Sequence, residues 1–268
     1  MRQYLNDYVP TSAQGSQPLE PHHTGFIAND VAPFLDEVRK QGFNRLTVMH
    51  LFRACAFIAR PDGRSRTPLH ELDTTEVQSA WNDTKKATRD ALGVVRSESG
   101  LVNMDILWSG SLLVPLIALC ATTGARDRDT RGMIGWLVLA ALLHRYSGSS
   151  ETALDQDLRA CRASDPIRGL LANLRRQDAG VRATSDDFDG ALVDRGGLLG
   201  VYVACHQRGI MDLFSDGKVI LQSAVERHHI LPRAQFPEKD RVRADCVANI
   251  AFVTEVVRRA SRIGGTIG

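Results

Sequence analysis

The sequence predicts a mainly α-helical protein that ends in a small module containing β-strands. Apolar residues recur at helical spacing from Val31 to about residue 208, and no strict alternation of apolar and polar residues occurs before about residue 215. Beyond that point β-rich runs begin, the first being Val219–Leu221 after a turn at 214–218. We therefore expect an extended lead-in over residues 1–25, a helical domain over 26–212 and a C-terminal module over 213–268.

The boundaries of these elements follow from their breakers and caps. Pro10, Pro18 and Pro21 lie in the first 25 residues, a composition typical of an extended segment. Gly42 separates the first two predicted helices, and a proline–glycine segment at 61–63 ends the second. The predicted helices, in chain order, are Val31–Val38, Leu46–Phe57, Thr74–Leu92, Ile106–Ala121, Met133–Tyr146, Glu151–Leu158 with a serine cap, Leu170–Arg176 and Leu198–Arg208.

Length and composition indicate a globular protein, and the cysteine spacing favours a reducing compartment. The chain has 268 residues, 43% of them hydrophobic, and a formal net charge of +2, so net charge alone does not select a polyanionic partner. Its five cysteines are widely spaced and form no CxxC pair, which argues against a disulfide framework. The N-terminal residues lack the apolar segment of a secretory signal. We expect a cytoplasmic protein.

The most apolar stretch, Ile106–Ala121, is predicted to be a buried helix rather than a membrane span. Trp108, Gly110 and Pro115 interrupt it, and it is shorter than the roughly 20 residues that a bilayer requires. We therefore expect no membrane association. The three tryptophans, Trp81, Trp108 and Trp136, fall in separate predicted helices and are expected to pack in the core.

The C-terminal module is predicted to run strand, strand, loop, helix. A second β-type run, Val225–Leu231, follows the first, and a polar loop extends from Pro232 to Asp245. Helical spacing is predicted to resume over Val247–Arg262. On such a helix Ala251, Glu255, Arg258 and Arg262 would share one face.

Two adjacent histidines, His228 and His229, lie within the second of these strands. Neighbouring side chains of a strand point to opposite faces, so one of the two must face inward or into a cleft. Phosphodiester hydrolysis needs a base that works near neutral pH and a cation that stabilises developing charge. His229 suits the base and His228 a metal ligand, while the amide of Asn249 could fix the loop or orient the base. This arrangement of residues resembles that of an HNH nuclease.

Three segments together resemble the C-terminal part of GmrSD-type, modification-dependent restriction endonucleases. They are HHILP at 228–232, VANIAFVTE at 247–255 and RYSGSSETALDQDL at 145–158. The resemblance spans most of the chain. It implies a helical region followed by a ββα-metal HNH module that cleaves foreign, often base-modified DNA in phage defence. We expect a divalent metal, with Mg²⁺ or Mn²⁺ favoured over Zn²⁺. In that family a ParB-like nucleotidase domain precedes these parts, so we expect a separate ParB-like protein as a partner.

One position departs from the family pattern, which places a second asparagine nine residues after the first. Here that position is Arg258, which cannot ligate a metal because its guanidinium has no free lone pair, and which would instead contact phosphate. Arg262 and Arg233 are further candidate phosphate contacts. Glu255 could replace the lost ligand, or it could form an intrahelical ion pair with Arg258 or Arg259. Residues 225–262 hold eight Lys or Arg and five Asp or Glu, a net +3 that suits DNA, although such a cluster also fits a solvated helix face.

Two other functional hypotheses remain open at this point. Loss of the metal site would leave a catalytically silent HNH-fold subunit for DNA binding or assembly, and Arg258 favours that hypothesis. The chain could also be a helical interaction protein whose C-terminus is structural. Asp155 and Asp157 could mark a carboxylate site, although capping and helix-surface charge explain them as well. The histidine pair His22–His23 is explained by linker polarity.

Overall fold

The protein is mainly helical, as predicted. The computed structural model describes residues 26–60, 74–178, 195–210 and 225–254. The α-helices of the described residues are α1 (Ala32–Lys40), α2 (Val48–Ala59), α3 (Thr74–Ser99), α4 (Val114–Thr122), α5 (Thr130–Leu142), α6 (Ser150–Ala160), α7 (Pro166–Gln177) and α8 (Arg195–Gln207), and a π-helical turn at Ile27–Val31 precedes α1. Two strands follow, β1 (Val225–His229) and β2 (Ile250–Thr254).

The long helix α3 is the centre of the helical body. It packs against α2, α4, α5 and α8. The helix was predicted to end at Leu92, but it continues to Ser99 because its buried stripe extends to Val95. Trp81 at its N-terminal half is fully buried, and Phe26 and Phe34 meet its ring edge-on at centroid distances of 5.8 and 5.7 Å.

The predicted role of the tryptophans in the core is confirmed. Trp81 and Trp136 are fully buried, and Trp108 is half-buried against the same core while its indole N–H donates to the carbonyl of Ala141 at 3.2 Å. Close approach of α8 to α5 depends on Gly196. A Cβ at this position would lie 2.6 Å from that Ala141 carbonyl oxygen, so only glycine fits there.

The apolar stretch from residue 106 does not form one helix. Its helical part begins with a 3₁₀ turn at Gly110–Leu113. The hydroxyl of Ser109 caps this turn by accepting a hydrogen bond from the N–H of Ser111. The chain then continues as α4, with Pro115 in the first turn. The helix α4 has only nine residues, seven of them buried in the core. In the described ranges no helix has both the length and the apolar character needed to cross a membrane.

The C-terminal part of the described chain is an antiparallel hairpin of β1 and β2. Val225 pairs with Thr254 and His229 with Ile250, and the long connection consists of 3₁₀ turns at Arg233–Gln235, Glu238–Asp245 and Val247–Asn249. The predicted strand at 225–231 is thus confirmed as far as His229. The earlier predicted strand at 219–221 lies outside the described residues.

The helix predicted over 247–262 is wrong for its first half. Asn249 ends a 3₁₀ turn instead of beginning a helix, and Ile250–Thr254 is a strand, so Ala251 cannot share a helix face with Glu255. The segment IAFVT is rich in β-branched and aromatic residues, and pairing with β1 satisfies its backbone groups. Together these two effects outweigh the helical spacing of its apolar residues. Residues 255–262 lie outside the described part of the chain.

The hairpin packs on the helical body through an aromatic pair. Phe252 of β2 is buried, and its ring meets that of Tyr202 of α8 at 5.2 Å with an interplanar angle of 74°. Tyr202 is anchored in turn because its hydroxyl donates to the carbonyl of Gly100 at 2.7 Å. The hairpin is therefore held against the C-terminal ends of α3 and α8.

Candidate functional site

The strand register places both histidines at the end of β1. His228 pairs through its backbone with Ala251, and His229 is the last paired residue, opposite Ile250. The N–H of Ile230 still donates to the carbonyl of Asn249 at 2.9 Å, so the chain leaves the sheet directly after His229. The imidazole of His229 consequently lies at the mouth of the long connection rather than in the core.

Asn249 joins the two ends of that connection. Its side-chain carbonyl accepts the N–H of Leu231 at 2.8 Å, and its amide donates to the carbonyls of Leu231 at 3.0 Å and Ala244 at 2.8 Å. Since the side chain is buried and both amide protons are used, it has no proton left to donate to His229. Of the two roles proposed for this residue, the geometry fits the one in which it fixes the loop.

The residue that contacts His229 is Asp245, which was predicted only as the end of a polar loop. Asp245 Oδ1 lies 3.1 Å from His229 Nε2, with the imidazole 39% and the carboxylate 36% exposed. In a neutral imidazole the proton must then be on Nε2, because a carboxylate can only accept, and Nδ1 is left as the basic nitrogen. The three hydrogen bonds of the Asn249 side chain to Leu231 and Ala244, called here the Asn249 brace, support this pairing. The brace fixes the backbone of Ala244, which directly precedes Asp245.

Arg233, a predicted phosphate contact, lies on the other side of the same carboxylate. Its Nη1 is 3.5 Å from Asp245 Oδ2, and the side chain is 61% exposed. Asp245 thus accepts from an imidazole on one oxygen and faces a guanidinium on the other. A polar group on each side limits how far the carboxylate can rotate away from His229.

The remaining predicted site residues are not brought together by the described residues. Glu255, Arg258 and Arg262 lie outside them, and of His228 only the backbone is described. Within the described ranges no three His, Cys, Asp or Glu side chains are grouped so as to hold a metal ion. The ring nitrogen of His229 and the carboxylate of Asp245 are donor types that fit a divalent cation, but they make only two ligands.

A second histidine, His50, contacts a hydroxyl group elsewhere in the chain, and its role is structural. His50 caps α2: its Nδ1 accepts the backbone N–H of Thr47 at 3.1 Å, and its Nε2 lies 3.1 Å from Ser111 Oγ. Burial lowers the pKa of His50 to about 4, which keeps it neutral. The proton is therefore on Nε2 and points at Ser111, so His50 cannot deprotonate that hydroxyl as a nucleophile requires.

The segment RYSGSSETALDQDL forms a buried ion-pair network. Asp157 is fully buried and accepts from Arg145 Nε at 3.0 Å, from the hydroxyl of Tyr146 at 2.7 Å and from the amide of Asn173 at 2.8 Å. Asp155 is buried as well, so the interpretation of these two acids as helix-surface charges is wrong. Because the partners of Asp157 occupy both carboxylate oxygens, this network ties the turn after α5 to α6 and α7 and is not a carboxylate site.

A cavity of about 500 Å³ lies between the ends of α4, α5, α6 and α7, away from the hairpin. Two of its three acidic side chains serve as helix caps: Asp129 accepts from the N–H of Gly132 at 2.8 Å and Asp165 from that of Arg168 at 3.0 Å. Arg128 in its wall bonds to Asp90 at 2.8 Å and to two backbone carbonyls. The polar groups named here are committed to structural roles, so the hairpin remains the stronger candidate site.

No protein-family model matches the chain, and no curated protein is significantly similar to it.

Proposed function

We propose that this chain is a metal-dependent DNA endonuclease of the HNH type that hydrolyses phosphodiester bonds, in the restriction of foreign or base-modified DNA in the cytoplasm. The observation that carries the proposal is the His229–Asp245 pair, 3.1 Å apart, with the buried Asn249 bonded to the backbone beside each partner. A histidine held in one tautomer by a carboxylate is the usual form of a general base that acts near neutral pH.

In the proposed reaction Nδ1 of His229 accepts a proton from a water molecule. The water oxygen forms a bond to phosphorus, the bond from phosphorus to the leaving deoxyribose oxygen breaks, and that oxygen takes a proton from solvent. Asp245 stabilises the imidazolium that forms and keeps Nδ1 directed at the water. Asn249 positions both residues and contacts neither the water nor the phosphate.

A divalent cation would supply the positive charge that stabilises the phosphate as negative charge develops on it. We propose Mg²⁺ or Mn²⁺, with His228 and Glu255 as the residues that hold it, because a carboxylate favours such hard cations. The proposed module is ββα-metal, in which the helix follows β2 and carries Glu255, Arg258 and Arg262. The two arginines and Arg233 would contact phosphates of the DNA.

The proposed partner is a separate ParB-like nucleotidase protein. This part of the proposal rests on the resemblance of three segments to GmrSD-type restriction endonucleases. Nucleotide dependence and recognition of a modified base would then come from the partner, and the present chain would supply the cleavage.

One observation favours a second candidate function, a catalytically silent subunit that keeps DNA binding. Arg258 stands where the family pattern has an asparagine, and its charge would repel a metal ion. Such a subunit would bind DNA with the same positive surface but would neither take up metal nor cleave.

The experiment is a plasmid-nicking assay with Mg²⁺, Mn²⁺ and Zn²⁺, with and without modified bases and with any ParB-like protein encoded nearby. We compare the wild-type protein with His229→Ala and Asp245→Asn. His206→Ala is the control because it removes a half-buried imidazole that lies on α8, outside the hairpin, and contacts the carbonyl of Ser97. We expect nicking to fall about 10²- to 10⁴-fold in His229→Ala, the usual contribution of a general base. In Asp245→Asn we expect a smaller loss of about 10- to 100-fold, as for residues that orient a catalytic group.

Equal nicking by wild-type protein and His229→Ala, with both folded by circular dichroism, would overturn the nuclease proposal. Wild-type protein that binds DNA, does not nick it and shows no metal uptake by calorimetry would establish the silent subunit instead. A protein that shows neither DNA binding nor nicking would contradict both candidates.

A further inference from the structure

Exposed aliphatic side chains are concentrated in the connection between β1 and β2. Among the described residues the large hydrophobic side chains that remain exposed are Met49, Ile210, Ile230, Leu231 and Val242. Three of these five belong to this one connection, with exposures of 51% for Ile230, 52% for Leu231 and 60% for Val242. Ile230 and Leu231, named here the apolar ridge, directly follow His229.

The backbone of the apolar ridge is held rigidly although its side chains are in water. The N–H of Ile230 donates to the carbonyl of Asn249, and both the N–H and the carbonyl of Leu231 bond to the side chain of Asn249. Pro232 follows and fixes its own φ angle near −54°. A mobile loop could turn such side chains inward, but this backbone keeps two aliphatic groups exposed at a fixed place beside His229. That arrangement suits a binding surface.

The charges around the apolar ridge are suited to a polyanion. Four cationic side chains of the connection are exposed, Arg233, Lys239, Arg241 and Arg243, whereas Glu238 is its one exposed acid. The other acids, Asp240 and Asp245, are half-buried, and Asp245 is already paired with His229 and Arg233. Arg243 also lies close to the apolar ridge, because the Asn249 amide joins its neighbour Ala244 to Leu231.

From these observations we infer that the apolar ridge is a wedge that contacts a base step of duplex DNA next to the phosphate to be cleaved, while the surrounding arginines bind the flanking phosphates. This inference rests on the proposed function. It adds that Ile230 and Leu231 select the base step at which the DNA is cleaved. Aliphatic side chains that enter a groove between arginines partly unstack a base step and bend the duplex. Flexible pyrimidine–purine steps such as TA unstack most easily, so the wedge would favour them.

The test measures binding and unstacking separately from cleavage. Duplexes carrying 2-aminopurine at a TA or an AA step are titrated in EDTA with the full-length wild-type protein, with Ile230→Ser/Leu231→Ser and with Met49→Ser as the matched control. Met49 is an exposed aliphatic side chain on α2, outside the connection. All three proteins should have the same melting temperature, because the substituted side chains are exposed.

We expect wild-type protein and Met49→Ser to bind equally and to raise 2-aminopurine fluorescence at the TA step more than at the AA step. The double variant should bind about tenfold more weakly, the loss expected when an aliphatic side chain is no longer removed from water. Its fluorescence increase should disappear, while the dependence of log Kd on log salt concentration stays the same because the arginines are retained.

Unchanged affinity and unchanged fluorescence in the double variant would overturn the wedge. Loss of binding to the purified ParB-like protein with DNA binding intact would overturn it too and would assign the apolar ridge to a protein interface. Wild-type protein that unstacks DNA but never nicks it would leave the wedge in place and remove the nuclease proposal, so the two failures can be told apart.

Discussion

Asn249 and Leu231 form a reciprocal pair of hydrogen bonds: the side-chain carbonyl of Asn249 accepts the N–H of Leu231 at 2.8 Å, and its amide donates to the carbonyl of Leu231 at 3.0 Å. The same amide also donates to the carbonyl of Ala244. One buried side chain therefore closes the long connection between the strands and sets the distance between His229 and Asp245.

Replacing Asn249 by Ala should destabilise this connection more than any other part of the hairpin. Three hydrogen bonds are lost and the backbone groups of Leu231 and Ala244 lose their partner, which we expect to lower the free energy of unfolding by about 2 to 3 kcal/mol. Amide hydrogen exchange should show faster exchange at Leu231, where the N–H loses its acceptor. The control is Asn103→Ala, which removes a single bond to the N–H of Asp105 and should cost less. Unchanged protection of Leu231 would contradict the brace.

Replacing Phe252 by Ala should weaken the attachment of the hairpin to the helical body. Its buried ring packs edge-on against Tyr202, and truncation of a buried aromatic residue costs about 3 to 5 kcal/mol. A double-mutant cycle with Tyr202→Ala in thermal unfolding should give a coupling energy of about 0.5 to 1.5 kcal/mol, the usual range for an aromatic pair. Strict additivity of the two substitutions would show that the pair does not link β2 to α8.

The stability of the protein should fall as the pH falls from about 6.5 toward 4 because of His50. Burial lowers the pKa of His50 to about 4 in the folded state, whereas an unfolded histidine titrates near 6.5, so the unfolded state binds more protons in this window. The full contribution is present above the unfolded pKa and is lost at low pH, with a size of about 3 kcal/mol. Protonation also removes the acceptor of the Thr47 N–H.

The measurement is urea unfolding of wild-type protein and His50→Gln from pH 7.5 to 4. Other carboxylates titrate in both proteins, so the difference between them isolates His50. We expect the difference in unfolding free energy to shrink as the pH falls. A constant difference would mean that His50 is not held neutral.

Replacing Asp157 by Asn should be among the most damaging polar substitutions in the chain. It leaves the buried guanidinium of Arg145 without its carboxylate, and removing one partner of a buried pair costs about 3 to 5 kcal/mol. The matched control is Glu151→Gln, because Glu151 pairs with Arg53 at the surface with 59% of its side chain exposed, where such a pair contributes about 0 to 1 kcal/mol. Melting temperatures of the two variants check the contrast, and similar losses would contradict the assigned burial.

The sequence predicted the helical body well because helical periodicity is a local property. Apolar spacing and one serine cap predicted a helix at each of the eight described α-helices, and the break at Pro61 agrees with the end of α2 at Ala59, although the predicted helix over 106–121 began too early. The errors lay at ends that depend on packing, such as the extension of α3 to Ser99, where partners from other helices bury the last turns.

The C-terminal residues show the limit of such reasoning. The apolar residues of IAFVT fit a helix by spacing, and only the partner strand β1, about twenty residues earlier, makes Ile250–Thr254 a strand. The pairing of Asp245 with His229 spans 16 residues and depends on the Asn249 brace. An acid four residues before Asn249 was visible in the sequence, but no local pattern distinguishes it from the other acids of the loop.

By itself the sequence determined which residue types are available, the helical class of the body and the candidate histidines, because these depend on composition and on periodicity along a short stretch of chain. The tertiary structure decided which side chains meet: Asp245 rather than Asn249 contacts His229, and Asp157 is buried rather than exposed. The physical reason is that contacts between distant residues depend on how whole elements pack, and that packing is not encoded in any single segment.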